Sequence, residues 1–185
     1  MMYRQTDERW NKELMTMPED LARLTQREKD IRWDYHDKAQ QGDTIGRFGC
    51  LITALTNCYN YYNKTTKTPA YFNQQIRKQN GYYVLYYGYD CPVGQESYIV
   101  WDVAQKVFRL KYIKMQVAKN LIEITSETKY YIARVPYRPP SIISGHYNTI
   151  VNYENKLVYH HDSDTGEIRN DWKDDGSYFI IEIGF

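Results

Sequence analysis

The chain changes character after residue 108, and this change most constrains its fold. Before that point apolar residues recur at helical spacing, whereas later runs are rich in Tyr, Ile and Val, which favour strands. The β-rich runs cover residues 130–135, 146–153, 156–161 and 178–183. Glu154-Asn155 separates two of them where a hairpin turn belongs. Helices first and strands later, without regular alternation, predict an α+β fold.

The most strongly patterned helix begins at Cys50. Leu51, Leu55, Cys58 and Tyr62 lie on one face of it, which predicts a helix buried in the centre of the domain. Cys50 itself is a candidate nucleophile, because unpaired amides and the positive end of the helix dipole favour the thiolate. A small buried residue is the alternative, since that is the commoner role of a lone cysteine.

Further helices are predicted on both sides of this one. Thr16 and Glu19 form a capping-box pair, and the apolar spacing that follows predicts a charged helix over about 16–41. Thr68 as N-cap and Pro69 at the first position begin another helix, with Gly81 just beyond its end. A short helix is predicted over 99–108, and residues 82–89 are left open between strand and irregular structure.

Composition excludes several classes of protein. Lys and Arg number 24 against 23 Asp and Glu, so the charge points to no nucleic-acid partner. No apolar run reaches the length of a membrane span, and the N-terminus lacks a signal-peptide core, so we expect synthesis in a cytoplasm. Three cysteines without metal-ligand spacing predict neither a disulfide framework nor a metal site. Without a linker, the 185 residues are interpreted as a single domain, 1–185.

His146 and Asp162 are candidates for a base and its orienting carboxylate. His146 starts a predicted strand, and the hairpin returns the chain so that Asp162, just past the next strand, can lie beside it. A structural histidine and an Asx turn over 162–166 remain the alternatives. His160 and His161 precede Asp162, but alternation puts His161 and Asp162 on opposite faces, and we retain His146 as the base.

Four short blocks follow one another along the chain: 5–10, 44–50, 145–147 and 162–166. They read Gln-x-Asp-x-x-Trp, Gly-Cys at a helix start, Gly-His at a strand start, and Asp-x-x-x-Gly after the next strand. In order and approximate spacing they resemble the papain-like cysteine peptidases related to bacteriocin-leader peptidases, found in bacteria and phages. The resemblance implies a papain-like fold, with the nucleophile helix packed on a C-terminal antiparallel sheet.

The resemblance also implies a role for each matched residue. Cys50 would be the nucleophile, His146 the general base and then acid, and Asp162 the orienter of the imidazole. Gln5 would donate to the oxyanion together with the Cys50 backbone N–H. No metal or organic cofactor is implied. Residues expected to contact substrate are Gly49, Gly145 and Trp10, with core packing as the alternative for Trp10.

Two features depart from the family pattern. Ser163 stands where the family usually has proline, which leaves the backbone there less fixed. The predicted helix over 16–41 lengthens the connection between Gln5 and Cys50, so it is interpreted as an insertion and as a candidate surface for a protein partner.

The expected function is hydrolysis of a peptide or amide bond in a peptide, protein or peptidoglycan substrate. Phage contexts make cell-wall cleavage after lysis, leader removal and processing of virion proteins the candidate tasks. One alternative is a catalytically silent virion or interaction protein that acts through the 16–41 helix and a tyrosine-rich surface. Another is acyl transfer to an amine, which uses the same residues.

Overall fold

Helices precede an antiparallel sheet along the chain. The computed structural model describes residues 2–16, 22, 25–27, 44–82, 99–118, 130–136, 145–154, 157–161, 163, 165–169 and 178–185. The helices we number are α1 (Ile45–Phe48), α2 (Cys50–Asn63), α3 (Pro69–Arg77) and α4 (Trp101–Phe108). The strands are β1 (Tyr112–Ala118), β2 (Tyr130–Pro136), β3 (Gly145–Glu154), β4 (Leu157–His161), β5 (Ile168–Arg169) and β6 (Tyr178–Gly184). The predicted α+β class is confirmed.

The strands form one sheet in the order β1-β6-β2-β3-β4-β5, and each neighbouring pair is antiparallel. All four predicted β-rich runs are strands. The predicted hairpin is confirmed too, because Glu154 of β3 pairs with Leu157 of β4. Strand β1 was not predicted, although its partly buried Ile113 and Met115 alternate with the exposed Tyr112 and Lys114. That alternation is the period-2 signal of a half-buried strand.

Helix α2 is buried on nearly every side along its first three turns. Leu51, Leu55 and Cys58 are buried as predicted, and polar residues on other faces are buried as well. Each fully buried Leu or Ile stabilises the fold by about 1.5–3 kcal/mol. The prediction for Tyr62 is wrong: this side chain is 46% exposed, although its ring stacks on Phe185 and packs edge-on against Tyr130. Helix α2 therefore forms the centre of the core at its Cys50 end.

Helices α3 and α4 pack beside α2, and the predicted N-cap of α3 is confirmed. The Thr68 hydroxyl accepts a hydrogen bond from the Tyr71 amide at 3.2 Å, and Pro69 is the first helical residue. Just past α3, a Cβ on Gly81 would lie 2.6 Å from side-chain carbons of both Ile76 and Val103, so only glycine lets the two helices approach this closely. The predicted helix over 99–108 begins at residue 101 instead of 99.

The predicted charged helix over 16–41 falls almost entirely outside the described residues. Its first residue, Thr16, is buried in a bend, and residues 22, 26 and 27 are helical. Most of the undecided segment 82–89 also lies outside the described residues, and Tyr82 forms an isolated bridge with Ile99. Among the helices of the described ranges, none combines the length and apolar character needed to cross a membrane.

Candidate active site

Cys50 is the first residue of α2 and its side chain is half-buried against the core. Its amide is one of the N-terminal amides of the helix that lack an intrahelical acceptor. Cys58 lies two turns further along the same helix. It is buried, and that burial raises the pKa of its thiol to about 12. The helix thus carries one accessible thiol and one that is held protonated.

The glycines before Cys50 are explained by close backbone packing. The Gly46 amide donates to the Asn11 carbonyl at 2.8 Å, and a Cβ on Gly46 would lie 2.7 Å from that same oxygen. Gly49 is buried, and a Cβ there would overlap the Ile45 carbonyl oxygen. Both positions require glycine for the approach of the N-terminal segment and for the junction of α1 and α2. Contact of Gly49 with substrate stays a prediction.

The N-terminal segment is held on α2 by a reciprocal pair of hydrogen bonds. The Tyr3 amide donates to Asn57 Oδ1 at 2.7 Å, and Asn57 Nδ2 donates to the Tyr3 carbonyl at 3.1 Å. The Tyr3 ring packs edge-on against Trp10, with the centroids 5.2 Å apart, and Trp10 Nε1 donates to the Arg4 carbonyl at 2.9 Å. These contacts fix the backbone on both sides of Gln5.

Gln5 is buried beside the segment that leads to Cys50. Its side-chain Nε2 donates to the Gly46 carbonyl at 3.3 Å. Because a carbonyl must face the amide nitrogen, this contact fixes the orientation of the side chain and leaves its second N–H for another acceptor. Gln5 Oε1 is buried and finds no partner within the described part of the chain. The amide therefore has hydrogen-bonding capacity that the described residues do not use.

Ser163 joins the Gln5 segment to strand β3. Its carbonyl accepts from the Gln5 amide at 2.6 Å, its hydroxyl donates to the Tyr147 carbonyl at 2.7 Å, and its amide donates to Asn148 Oδ1 at 3.1 Å. Gly166, at φ +79°, lies against the Arg4 side chain in the same turn. The turn after β4 is thus packed between the N-terminal segment and the start of β3.

A chain of hydrogen bonds therefore connects the four sequence blocks: Gly46 to Gln5, Gln5 to Ser163, and Ser163 to Tyr147. A second link joins α2 to β3, because the Thr149 hydroxyl donates to the Ala54 carbonyl at 3.4 Å. Helix α2 therefore packs against β3. Cys50 is the first residue of that helix, and His146 is the second residue of that strand.

No family model, curated protein or solved structure matches this chain. His146 is the second residue of β3 and pairs with Val135, and Gly145, the first residue of β3, pairs with Pro136. Asp162 lies outside the described residues. Its neighbour in sequence, His161, ends β4 opposite Thr149.

Trp10 is 2% exposed and its indole nitrogen already has an acceptor, which favours the core-packing alternative. One edge of Trp10 borders an open surface cavity of about 320 Å³. The other lining residues are Glu8, Arg9, Lys12, Glu13, Leu14 and Arg77. Across the described ranges, no group of three His, Cys, Asp or Glu side chains could hold a metal ion.

Sequence reasoning missed the polar residues that assemble this site. Asn57, Asn148 and Ser163 are all buried, and each bonds a segment distant in sequence. A signal was present for Asn57, since an amide on a helix predicted to be buried must find a partner. Ser163 gave no such signal, because serine after a strand is ordinary turn composition.

Proposed function

We propose that this chain is a cysteine peptidase or amidase of papain-like fold, acting through Cys50, His146 and Asp162. The observation that supports the proposal is the chain of hydrogen bonds Gly46–Gln5–Ser163–Tyr147. It brings together four segments that are far apart in sequence, and each segment contains or adjoins one residue that thiol-dependent acyl transfer requires.

In the proposed reaction the Cys50 thiolate attacks the carbonyl carbon of the substrate while His146 holds the thiol proton. The oxyanion accepts hydrogen bonds from the Cys50 amide and from the unused N–H of the Gln5 side chain. The carbon–nitrogen bond then breaks, and the leaving amine takes the proton from His146. Water, deprotonated by His146, attacks the thioester, releases the acid and regenerates the thiol.

The proposed substrate is a peptide or amide bond in a peptide, a protein or peptidoglycan. A phage setting would place synthesis in a cytoplasm, followed by release on lysis or incorporation into the virion. Acyl transfer to an amine in place of water would use the same residues, and the two reactions are distinguished by the products formed when an amine is added.

Alkylation by iodoacetamide tests the proposed nucleophile. We expect Cys50 to be modified at pH 6, where an ordinary thiol of pKa about 8.5 is almost wholly protonated. Cys58 is the internal reference, because it is buried on the same helix and its pKa is raised to about 12, so it should stay unmodified. Peptide mass mapping assigns each modified thiol.

His146→Ala is the matched variant for this measurement. We expect it to abolish the modification of Cys50 at pH 6 while leaving modification at pH 9 in place, because only the ion pair is lost. If Cys50 reacts no faster at pH 6 than a thiol in an unfolded peptide, or if His146→Ala changes nothing, the proposed mechanism is wrong.

The second candidate is a catalytically silent interaction protein, which the described tyrosine surface favours. Tyr61, Tyr62 and Tyr71 are exposed at the end of α2 remote from Cys50 and at the start of α3. Lys64 and Lys67 place their ammonium groups 4.4 Å and 4.5 Å from the ring centroids of Tyr61 and Tyr71. Ordinary reactivity of Cys50 together with a binding defect in Tyr61→Ala would support this candidate.

A further inference from the structure

We propose that Ser163 is a positioning residue that holds Gln5 in place as oxyanion donor, an inference that rests on the function proposed above. Ser163 is fully buried and hydrogen-bonded through its hydroxyl, its amide and its carbonyl. Two of these bonds anchor it to Tyr147 and Asn148, the two residues that follow His146 in β3. The third is the bond from the Gln5 backbone amide to the Ser163 carbonyl, at 2.6 Å.

The direction of these bonds explains what each one does. The bonds to Tyr147 and Asn148 fix Ser163 on the strand that carries His146. The Ser163 carbonyl then fixes the Gln5 backbone, and the Gly46 carbonyl fixes the Gln5 side chain. A donor contributes to oxyanion stabilisation only when it is held at the place where charge develops. Ser163 therefore acts on the reaction through Gln5, without contacting the reacting atoms.

Ser163 restrains this stretch of backbone by hydrogen bonds, whereas a proline would restrain it by its ring. A proline at this position would restrict φ but would supply neither an amide N–H nor a hydroxyl. Ser163 lacks that restriction, and its two bonds to β3 restrain the same stretch of backbone. The hydroxyl bond to the Tyr147 carbonyl, at 2.7 Å, is the part that a single substitution removes.

Two reactions of Cys50 separate this role from a general structural one. With p-nitrophenyl acetate, the thiolate attacks the acetyl carbon, an oxyanion forms, and the carbon–oxygen bond breaks to release p-nitrophenolate and leave a thioester. With iodoacetamide, the thiolate displaces iodide from carbon and no oxyanion forms. Only the first reaction depends on the side-chain amide of Gln5, whereas both reactions depend on an accessible Cys50 thiolate.

We expect Ser163→Ala to slow acetylation of Cys50 by about tenfold or more while leaving its alkylation rate unchanged. In a Gln5→Ala background the same substitution should have no further effect on acetylation, because the donor that Ser163 holds is absent. Thr56→Ala is the matched control. It removes a hydroxyl bond of the same 2.7 Å length, to Ile52 in the buried face of α2, and should change neither rate.

Three results would overturn the inference: unchanged acetylation in Ser163→Ala, an equal fall in both rates, or effects of Ser163→Ala and Gln5→Ala that multiply. If Ser163→Ala does not fold, Asn148→Ala removes the acceptor of the Ser163 amide and must give the same pattern. Failure of the proposed function is a separate outcome. In that case the Cys50→Ala variant would release p-nitrophenolate from p-nitrophenyl acetate as fast as the wild-type chain. That result would overturn both proposals.

Discussion

Asn57 is the residue through which the central helix holds the segment that contains Gln5. Its side-chain amide bonds both the amide and the carbonyl of Tyr3, so a single buried side chain satisfies two backbone groups of another segment. An amide matches a backbone peptide in both donor and acceptor, which no apolar side chain can do. The position of Gln5 therefore depends on the folding of α2, although the two are far apart in sequence.

Asn57→Ala should lower the free energy of unfolding by about 2–4 kcal/mol, because two buried groups of Tyr3 lose their partners. Amide hydrogen exchange at Tyr3 and Gln5 should also become faster. Asn63→Ala is the control, since Asn63 is exposed on the same helix and, among the described residues, its side chain bonds only the nearby Tyr59 carbonyl. Equal effects of the two substitutions in urea denaturation would contradict this account.

Asp7 shows how a local ion pair shifts an ionisation near the site. The Arg9 guanidinium donates to both carboxylate oxygens, at 2.9 Å and 2.8 Å, and lowers the pKa of Asp7 from 3.8 to about 2. A lowered pKa stabilises the fold at pH values above 3.8, and this contribution is lost as the pH falls toward 2. The pair is exposed, so its effect on stability is small and salt-dependent.

We therefore expect Arg9→Gln to raise the midpoint of the Asp7 titration toward 3.8, measured by NMR of the carboxyl carbon. Lys12→Gln, which removes a nearby charge without a described bond to Asp7, should leave the midpoint near 2. The same midpoint in the wild-type chain and Arg9→Gln would show that another interaction lowers this pKa.

At the scale of single residues, the sequence predicted the helix start at Cys50 but not the hydrogen bonds that connect the neighbouring segments. Cys50 at a helix start follows from local signals, namely the glycines before it and the apolar stripe after it. The bonds of Ser163 to Tyr147 and Gln5 depend on two backbone segments meeting in the fold. A residue type alone carries no information about such meetings, which is why Ser163 predicted only a less fixed backbone and none of these hydrogen bonds.

Among the elements, α3 begins at the predicted residue because its start is encoded locally, whereas it ends at Arg77, four residues before Gly81. Thr68 and Pro69 define the first turn by a side-chain bond and a preset φ, and neither requires tertiary contacts. Tyr62 illustrates the opposite case. Its spacing matches the buried face of α2, but the exposure of a side chain depends on how far neighbouring elements cover it, and periodicity does not contain that information.

Thr68→Ala should lower the free energy of unfolding by about 1 kcal/mol, because the Tyr71 amide loses the acceptor that caps α3. Thr68→Ser keeps the hydroxyl and should retain most of the stability in the same urea titration. If the serine variant is as unstable as the alanine variant, packing of the threonine methyl group stabilises this end of α3 more than the cap does.

For the whole molecule, the order of the strands is what sequence reasoning could not supply. Strand β6 is the last strand along the described chain, yet it lies between β1 and β2 inside the sheet. Local patterns identify a strand but not the strands beside it. Strands β2 and β6 are more than 40 residues apart in sequence, and their pairing depends on how the buried faces of the sheet pack together. The position of β6 means that the sheet is completed only by its last strand in the chain.

A stop after residue 177, which removes β6, should abolish cooperative unfolding altogether. Ile180, Ile181 and Ile183 are fully buried, and their burial contributes about 5–9 kcal/mol, comparable with the net stability of a typical domain. The deletion also separates β1 from β2, because β6 is the strand that connects these two in the described sheet. A stop after Gly184 keeps every β6 pairing and is the control. A sigmoidal thermal transition in the shorter chain, by near-UV circular dichroism, would show that the helices and the remaining strands fold without the inner strand.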